Sequence, residues 1–291
     1  MVRWGFMTQF EKSLSEYIRD LQSEDPKIRI QAATILGEWG NDRAVTPLIN
    51  VLSSKDENLR RAAAGALKEI KNRRSIPPLL KVLRKDPSPE VRAEAAYALA
   101  FLTKFNFDIL PLIEALADDH YLVRQNAAFA LGKSRRRKAV RPLIDALLRD
   151  ENYNTREMAA WALGEIHDKR AIAPLQEALT DPHLAVRKNA AYALGCLQAA
   201  SAAPLLKKAL LKPDETKDAA WALSKILNKK TAGNVLRDAF RKLKKENHIE
   251  ACIAICRILY DVDHKIAESL KKSLLNDKAY ASYWPELESL F

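Results

Sequence analysis

The sequence has few of the residues on which several classes of protein depend. Among its 291 residues are 8 glycines, 13 prolines and 3 cysteines, and aromatic residues make up 7%. So little glycine and proline excludes a collagen-like or low-complexity chain, and the small, odd number of cysteines favours a reducing compartment over a disulfide framework. No apolar run reaches the roughly 18 residues of a membrane span, and none resembles a signal peptide. We therefore expect a cytoplasmic protein that does not associate with membranes.

Common catalytic and metal-binding motifs are also missing. There is no glycine-rich phosphate loop and no G-x-S-x-G motif. None of the five histidines lies four residues from another, and Cys252 and Cys256, although one helical turn apart, are surrounded by Ile and Ala. That setting indicates buried small side chains. We expect no catalytic residue, no metal and no cofactor.

What the sequence has in abundance is internal repetition. An Ala-Ala segment recurs seven times at steps of 29 to 32 residues. The first alanines of these segments are Ala32, Ala63, Ala95, Ala127, Ala159, Ala190 and Ala219. A Pro-Leu pair recurs in phase with six of them, so each unit of about 32 residues contains two elements.

Hydrophobic spacing predicts that both elements are helices. In residues 91–102 the apolar positions are spaced 4, 4 and 3 residues apart, and residues 139–150 place five apolar side chains on one helical stripe. Acidic or proline-containing turns, such as Asp25-Pro26, Asp86-Pro87 and Asp181-Pro182, separate the two helices of a unit. The aspartates are expected to cap the second helix, because a carboxylate accepts hydrogen bonds from its first N–H groups.

The repeated pattern D-P-x-V-R-x-x-A-A-x-A-L-G follows an A-x-x-P-L-x-x-A-L helix, and it resembles the HEAT-like repeats named for the phycobilisome lyases over residues 23–228. The resemblance implies an all-α, right-handed α-solenoid of about seven stacked helical hairpins, with second helices on the concave side. We expect the array to span 1–230, with an N-terminal helix at 8–22. Residues 231–291, which lack the signature, are expected to form divergent capping helices.

A candidate binding groove follows from the register of the second helices. If Val91, Ala95 and Leu99 face the core, then Glu94 and Tyr97 face away from it. The same register places an aromatic residue in every unit from the third onward. The candidate groove residues are Glu94, Tyr97, Asn126, Phe129, Trp161, Asn189, Tyr192 and Trp221.

Asparagine amides and aromatic faces suit an extended peptide, because amides donate and accept hydrogen bonds and rings offer apolar area or cation–π contacts. The combination is similar in kind to the Asn and Trp ladder of importin alpha. Two alternatives stay open. The rings can pack between adjacent second helices and set the curvature, or they can stack on bases or a chromophore.

Arginines recur early in the second helices, beside the acidic turns. Such a side chain can reach the carboxylate of its own or a neighbouring turn. These arginines, which we expect to join successive repeats through ion pairs, are Arg29, Arg60, Arg92, Arg124, Arg156 and Arg187.

Charge separates between the two kinds of turn. The net charge is +11, and the turns after the second helices carry a total of +10 while those before them carry −8. Compensation of the helix dipole explains most of this pattern. The positive charge beyond what the helix dipole requires forms a candidate basic edge, on which a phosphate backbone or an acidic protein surface could dock. Its residues are Lys71, Arg73, Arg74, Arg135, Arg136, Arg137 and Lys138.

These observations favour a monomeric, non-catalytic scaffold that binds a protein or peptide in its groove. Nucleic-acid binding along the basic edge is the first alternative, and a chromophore-binding subunit similar to the bilin lyases is the second. Deoxyhypusine hydroxylases resemble this repeat but bind two irons through His-Glu pairs. The corresponding positions here, such as Gln125-Asn126 and Lys188-Asn189, contain none, so di-iron chemistry is disfavoured.

Overall fold

The computed structural model describes residues 12–289, and no strand occurs within that range. Helices alternate with short turns along the whole of it. In chain order the α-helices are α1 (Leu14–Asp20), α2 (Pro26–Trp39), α3 (Val45–Val51), α4 (Glu57–Ile70), α5 (Ile76–Lys85), α6 (Pro89–Ala100), α7 (Leu110–Glu114), α8 (Tyr121–Ser134), α9 (Val140–Arg149), α10 (Tyr153–Ile166), α11 (Ile172–Ala178), α12 (Leu184–Cys196), α13 (Ala203–Ala209), α14 (Thr216–Ile226), α15 (Lys229–Lys245), α16 (Ile249–Val262), α17 (His264–Leu275) and α18 (Trp284–Glu288). Residues 8–11 of the expected N-terminal helix lie outside the described residues.

The helices belong to two compact units, residues 12–134 and residues 135–289. In each unit an odd-numbered helix pairs with the next even-numbered one to form a hairpin, of which we call the two members the first and the second helix. Second helices pack on one another: α2, α4, α6 and α8 in the first unit, and α10, α12, α14 and α16 in the second. Each unit is therefore a stack of helical hairpins, as the repeat predicts.

The hydrophobic stripes are buried largely as expected. Val91, Ala95 and Leu99 of α6 are fully buried. In α9 the expected stripe is wrong at one position, because Leu148 is 38% exposed while Ala146 is buried. The buried arc of α9 is therefore shifted toward the smaller residue.

Second helices approach one another closely where their facing residues are small. A Cβ added to Gly37 of α2 would lie 2.6 Å from the Cα of Ala66 in α4, and one added to Gly164 of α10 would lie 2.9 Å from the Cα of Ala193 in α12. Only a residue without a Cβ fits at such a distance. The alanine and the glycine of the repeated A-L-G segment are thus explained by this close packing of second helices.

The turns before the second helices correct one sequence-based expectation. Asp25 caps α2 by accepting a hydrogen bond from the N–H of Lys27. Asp86 and Asp181 instead lie two residues before the N-caps of their helices, which are Ser88 and His183. Each accepts a hydrogen bond from the N–H of that N-cap residue at its Oδ1 atom, and both of its carboxylate oxygens also accept from another partner.

That partner is the arginine of the preceding hairpin, which confirms the expected ion pairs. Arg60 donates to the two carboxylate oxygens of Asp86 at 2.7 and 2.8 Å, and its other terminal nitrogen donates to the carbonyls of Ser54 and Lys55. One guanidinium thus ties its own turn to the next hairpin. The equivalent pairs are Arg29–Asp56, Arg92–Asp118, Arg156–Asp181 and Arg187–Glu215.

Residues beyond 230 continue the helical pattern. Helix α16 packs between α15 and α17 and also against α14. Cys252 and Cys256 are fully buried in α16, as expected of small apolar side chains, and burial raises the pKa of each thiol to about 12. Of the helices described between residues 12 and 289, none is long and apolar enough to cross a membrane.

Candidate functional site

The first unit brings two of the predicted aromatic residues into contact. Tyr97 of α6 and Phe129 of α8 stack with ring centroids 5.6 Å apart and planes 29° apart, and Phe101 meets the Tyr97 ring edge-on at 5.1 Å. All three side chains are half-buried. The rings therefore pack between neighbouring second helices and still keep part of their surface exposed.

Cations lie over these rings. The Nζ atom of Lys68 is 4.9 Å from the centroid of Tyr97, and it is 3.4 Å from a carboxylate oxygen of Glu69 and 3.6 Å from one of Glu94. Lys133 lies one helical turn after Phe129, with its ammonium 5.8 Å from that ring. A cation between carboxylates and an aromatic face is a favourable arrangement, so this surface already holds cationic groups of its own.

Beside the aromatic pair is an open depression of about 540 Å³. Its walls include residues that the register predicts to face away from the core. These are Thr34, Glu38, Ala62, Gly65, Glu69 and Glu94. Gly65 stands where later units carry an aromatic residue, and a Cβ added to it would meet only the carboxylate of Glu94. The missing side chain at this position leaves the space open.

The two candidate asparagines are engaged within the protein, which the sequence did not reveal. The amide nitrogen of Asn126 donates to the carbonyl of Ala93 on α6 at 2.9 Å. That of Asn189 donates to a carboxylate oxygen of Glu157 at 3.1 Å and to the carbonyl of Ala185 at 3.2 Å. These amides link adjacent second helices in addition to any contact with a partner.

In the second unit, Tyr192 of α12 and Trp221 of α14 stack with centroids 4.9 Å apart and planes 20° apart. Trp221 also covers Gly195, where an added Cβ would lie 2.6 Å from the indole ring. The hydrogen bond between the Tyr192 hydroxyl and the Cys196 thiol, together with burial, raises the pKa of Tyr192 to about 12. Trp161 is half-buried on α10, and its role in binding stays a prediction.

The candidate basic residues of the first unit follow α4. Lys71 ends the helix in the left-handed region with a φ of 55°, and its ammonium lies 5.9 Å from the Phe101 ring. Arg73 and Arg74 are exposed on the short 3-10 turn that follows, and Arg74 donates to the carbonyl of Asp42. All three residues are exposed, and the Arg74 contact joins this turn to the corresponding turn before α3.

Two candidate basic residues of the second unit, Arg135 and Arg137, form ion pairs. Arg135, at a φ of 52°, donates to Glu165 at 2.9 Å, and Arg137 lies 3.7 Å from Asp168. Asp168 is held mainly by the hydrogen bond from the Arg170 guanidinium, which with the Arg170 N–H lowers its pKa to about 2. Arg135 and Arg137 are nevertheless 67% and 80% exposed, because each carboxylate contacts only one side of the guanidinium.

The described residues contain no group of His, Cys, Asp and Glu side chains that could hold a metal ion. Stacked hairpins of this kind define an α-solenoid, a class of repeat protein that presents extended surfaces for binding. HEAT repeats match residues 13–100, 109–183 and 140–224. The chain belongs to the HEAT-repeat family.

Solved structures show the same fold in other proteins. Kap95, from a Kap95:Nup1 complex, is 14% identical with a TM-score of 0.68, over 94% of this chain and 46% of that one. A designed armadillo repeat protein in complex with the peptide (KR)4 is 22% identical, with a TM-score of 0.51, over 64% of this chain and 100% of the other.

The complex of CpcE and CpcF of phycocyanin lyase from Nostoc sp. PCC7120 is 22% identical, with a TM-score of 0.51, over 90% of this chain and 99% of that one. No curated protein matches the chain. At these identities the likenesses show the fold alone, and that fold is consistent with a protein-binding scaffold.

Proposed function

We propose that this protein is a non-catalytic scaffold that binds an extended protein or peptide segment on the faces of its second helices. The observation that carries the proposal is the depression at Gly65, which adjoins the half-exposed Tyr97 and Phe129 stack: Lys68 lines the depression and places its ammonium 4.9 Å from the Tyr97 ring. An open volume beside an aromatic surface can take one side chain of a bound segment while the rings cover its neighbours. The carboxylates around the depression supply acceptors for backbone N–H groups.

The aromatic residues of the second unit would extend the same mode of binding. Tyr192 and Trp221 form a flat, half-exposed surface with the ammonium of Lys225 at 5.6 Å from the indole. Tryptophan and tyrosine dominate the energetics of many protein interfaces, because they bury large areas at small entropic cost. The designed armadillo repeat protein in complex with the peptide (KR)4 is an example of a solenoid that has a peptide as its ligand.

The test is affinity capture from a lysate divided into nuclease-treated and untreated halves, comparing the wild-type protein with Gly65→Leu and Trp161→Ala. Leucine at Gly65 would fill the depression without disturbing α4, because no backbone lies near its Cβ. We expect both variants to recover several-fold less of the captured protein while their circular dichroism and Tm stay close to wild type. Tyr153→Ala is the matched control, since Tyr153 is an exposed aromatic at the start of α10 whose ring stacks on His183, which is not a candidate residue.

Two results would contradict the proposal. Recovery that disappears on nuclease treatment would indicate a nucleic acid, and would direct attention to the basic residues of 71–74 and 135–138. Equal recovery by the wild-type protein and both variants would indicate that the aromatic residues and the depression serve packing alone.

A further inference from the structure

A second cleft lies between the first helices of the second and third hairpins, α3 and α5, within the first unit. Its volume is about 690 Å³. The floor is apolar, since Leu52 and Val82 are buried there and Ile49 and Pro78 are half-buried. It belongs to the first helices and the turns before the second helices, so it shares no residue with the depression at Gly65.

Three lysines surround this floor. Lys55, Lys81 and Lys85 are exposed, and none of their ammonium groups makes a hydrogen bond or ion pair with the residues that the structure describes. The other charged residues of the lining, Arg60 and Asp86, neutralise each other in a bidentate pair. The cleft therefore has a local charge of about three positive units.

The two helices beside this cleft supply no carboxylate that could neutralise the lysines. Neither α3 (VTPLINV) nor α5 (IPPLLKVLRK) contains an acidic residue. Arg84, which also belongs to α5, has a partner: it donates to Glu114 at the end of α7 at 2.8 Å. Arg84 on one side of α5 is thus paired with a carboxylate, whereas Lys81 and Lys85 on the side of the cleft are not.

We propose that this cleft binds an acidic peptide segment of a partner protein, with an apolar side chain on the floor and flanking carboxylates on the lysines. An apolar floor under a cationic rim complements such a segment, whereas a sugar-phosphate backbone would contact the lysines and leave the floor uncovered. The side chain of Asn50, exposed in the lining, can donate to and accept from an extended main chain. This proposal does not depend on the second-helix faces.

The test uses fluorescence anisotropy with a labelled ten-residue peptide in which a central leucine is flanked by aspartates and glutamates. We expect the triple variant K55A/K81A/K85A to bind it about tenfold more weakly, since three exposed ion pairs are lost. Replacing the peptide's leucine by serine should weaken binding several-fold, and added salt should weaken it further. The three lysines have no partners to lose, so the variant should fold as the wild type does.

The matched control is K207A/K208A/K230A, which removes the same charge from exposed lysines of α13 and α15 and should leave affinity unchanged. A charge reversal adds a second test: Lys81→Glu should restore binding of a peptide that carries one lysine in place of an acid. Equal losses in the two triple variants, or displacement of the peptide by a single-stranded oligonucleotide of the same charge, would overturn the proposal. Equal affinity for the peptides with leucine and with serine at the central position would also overturn it.

Discussion

Gly37 and Gly65 occupy second helices of neighbouring hairpins but have opposite surroundings. We expect Gly65→Ala to stabilise the protein by about 1 kcal/mol, because alanine is the better helix former and its Cβ would meet only the Glu94 carboxylate, 3.4 Å away. Gly37→Ala should instead destabilise it, since a Cβ 2.6 Å from Ala66 forces α2 and α4 apart, at a cost of about 1–3 kcal/mol.

Urea unfolding of the two variants gives the free energies directly. The pair acts as its own control, because both changes add the same methyl group to a glycine of a second helix. A similar effect from both would show that the close approach at Gly37 does not limit the packing.

Three aspartates should make the fold sensitive to acid. Burial is the largest single influence on Asp118 and Asp181 and raises the pKa of each. The hydrogen bonds from Arg92 and Arg156, those from the N–H groups of His120 and His183, and the nearby positive charges together outweigh burial, so the pKa of each carboxyl lies below its ordinary value. Asp168 has its pKa lowered to about 2. A lowered pKa contributes stability that is fully present above pH 4, the ordinary range of the group, and is lost as the pH falls through the folded-state value.

We therefore expect the free energy of unfolding to be steady from pH 7 to 5 and to decrease between about pH 4 and 2. Denaturant titrations at each pH measure this. In Asp168→Asn the decrease should be shallower, because one group that binds a proton on unfolding has been removed. An unchanged slope in that variant would contradict the role given to Asp168.

At the scale of elements, the ion pairs between hairpins differ sharply in burial. The side chains of Arg60 and Asp86 are only 10% and 5% exposed, whereas those of Arg84 and Glu114 are 43% and 49% exposed. Removing one partner of a buried pair leaves an uncompensated charge and costs about 3–5 kcal/mol. An exposed pair contributes about 0.2–1 kcal/mol.

Asp86→Ala is thus expected to destabilise the protein severely, and Glu114→Ala only slightly. The double variant Arg60→Met, Asp86→Ala should recover part of the loss, because no buried charge then lacks a partner. Thermal unfolding of the four proteins measures the difference. Equal losses at the buried and exposed pairs would show that the buried arginine does not join the hairpins.

The sequence predicted the elements well and their side-chain partners unevenly. Periodicity located both helices of each unit, since spacings of three and four residues report a buried stripe whatever its neighbours are. The arginine pairs were also predictable, from one cation and one acidic turn per period. The roles of Asp86 and Asp181 were not, because a carboxylate two residues before a helix resembles a cap until the preceding hairpin is in place.

The candidate site shows the same limit. The register predicted that Thr34, Gly65 and Glu94 share a face, and they line one depression. It did not predict that the amide of Asn189 is bonded to Glu157, because that contact depends on the distance between two helices. Nor did the register reveal the cleft at Lys55, Lys81 and Lys85, because its lining comes from two neighbouring hairpins.

For the whole molecule, the last helices should act as a cover. Helix α16 packs against α14, and Ala220 and Leu223 of α14 are fully buried. A chain ended after residue 228 would lose that cover, so we expect increased binding of a hydrophobic dye, a lower Tm and concentration-dependent aggregation. Full helical content with no dye binding in the shortened chain would show that residues 229–291 are dispensable to the stack.

The arginine pairs also bear on how such a chain can grow. The period of α6 contains a carboxylate, Asp86, that receives Arg60 of the period before it, and an arginine, Arg92, that reaches Asp118 of the period after it. A gene duplication that copies one whole period therefore copies both the arginine and the carboxylate that link it to its neighbours. The lengthened protein would have every new junction complete from the first generation, so changes in repeat number need no compensating substitutions.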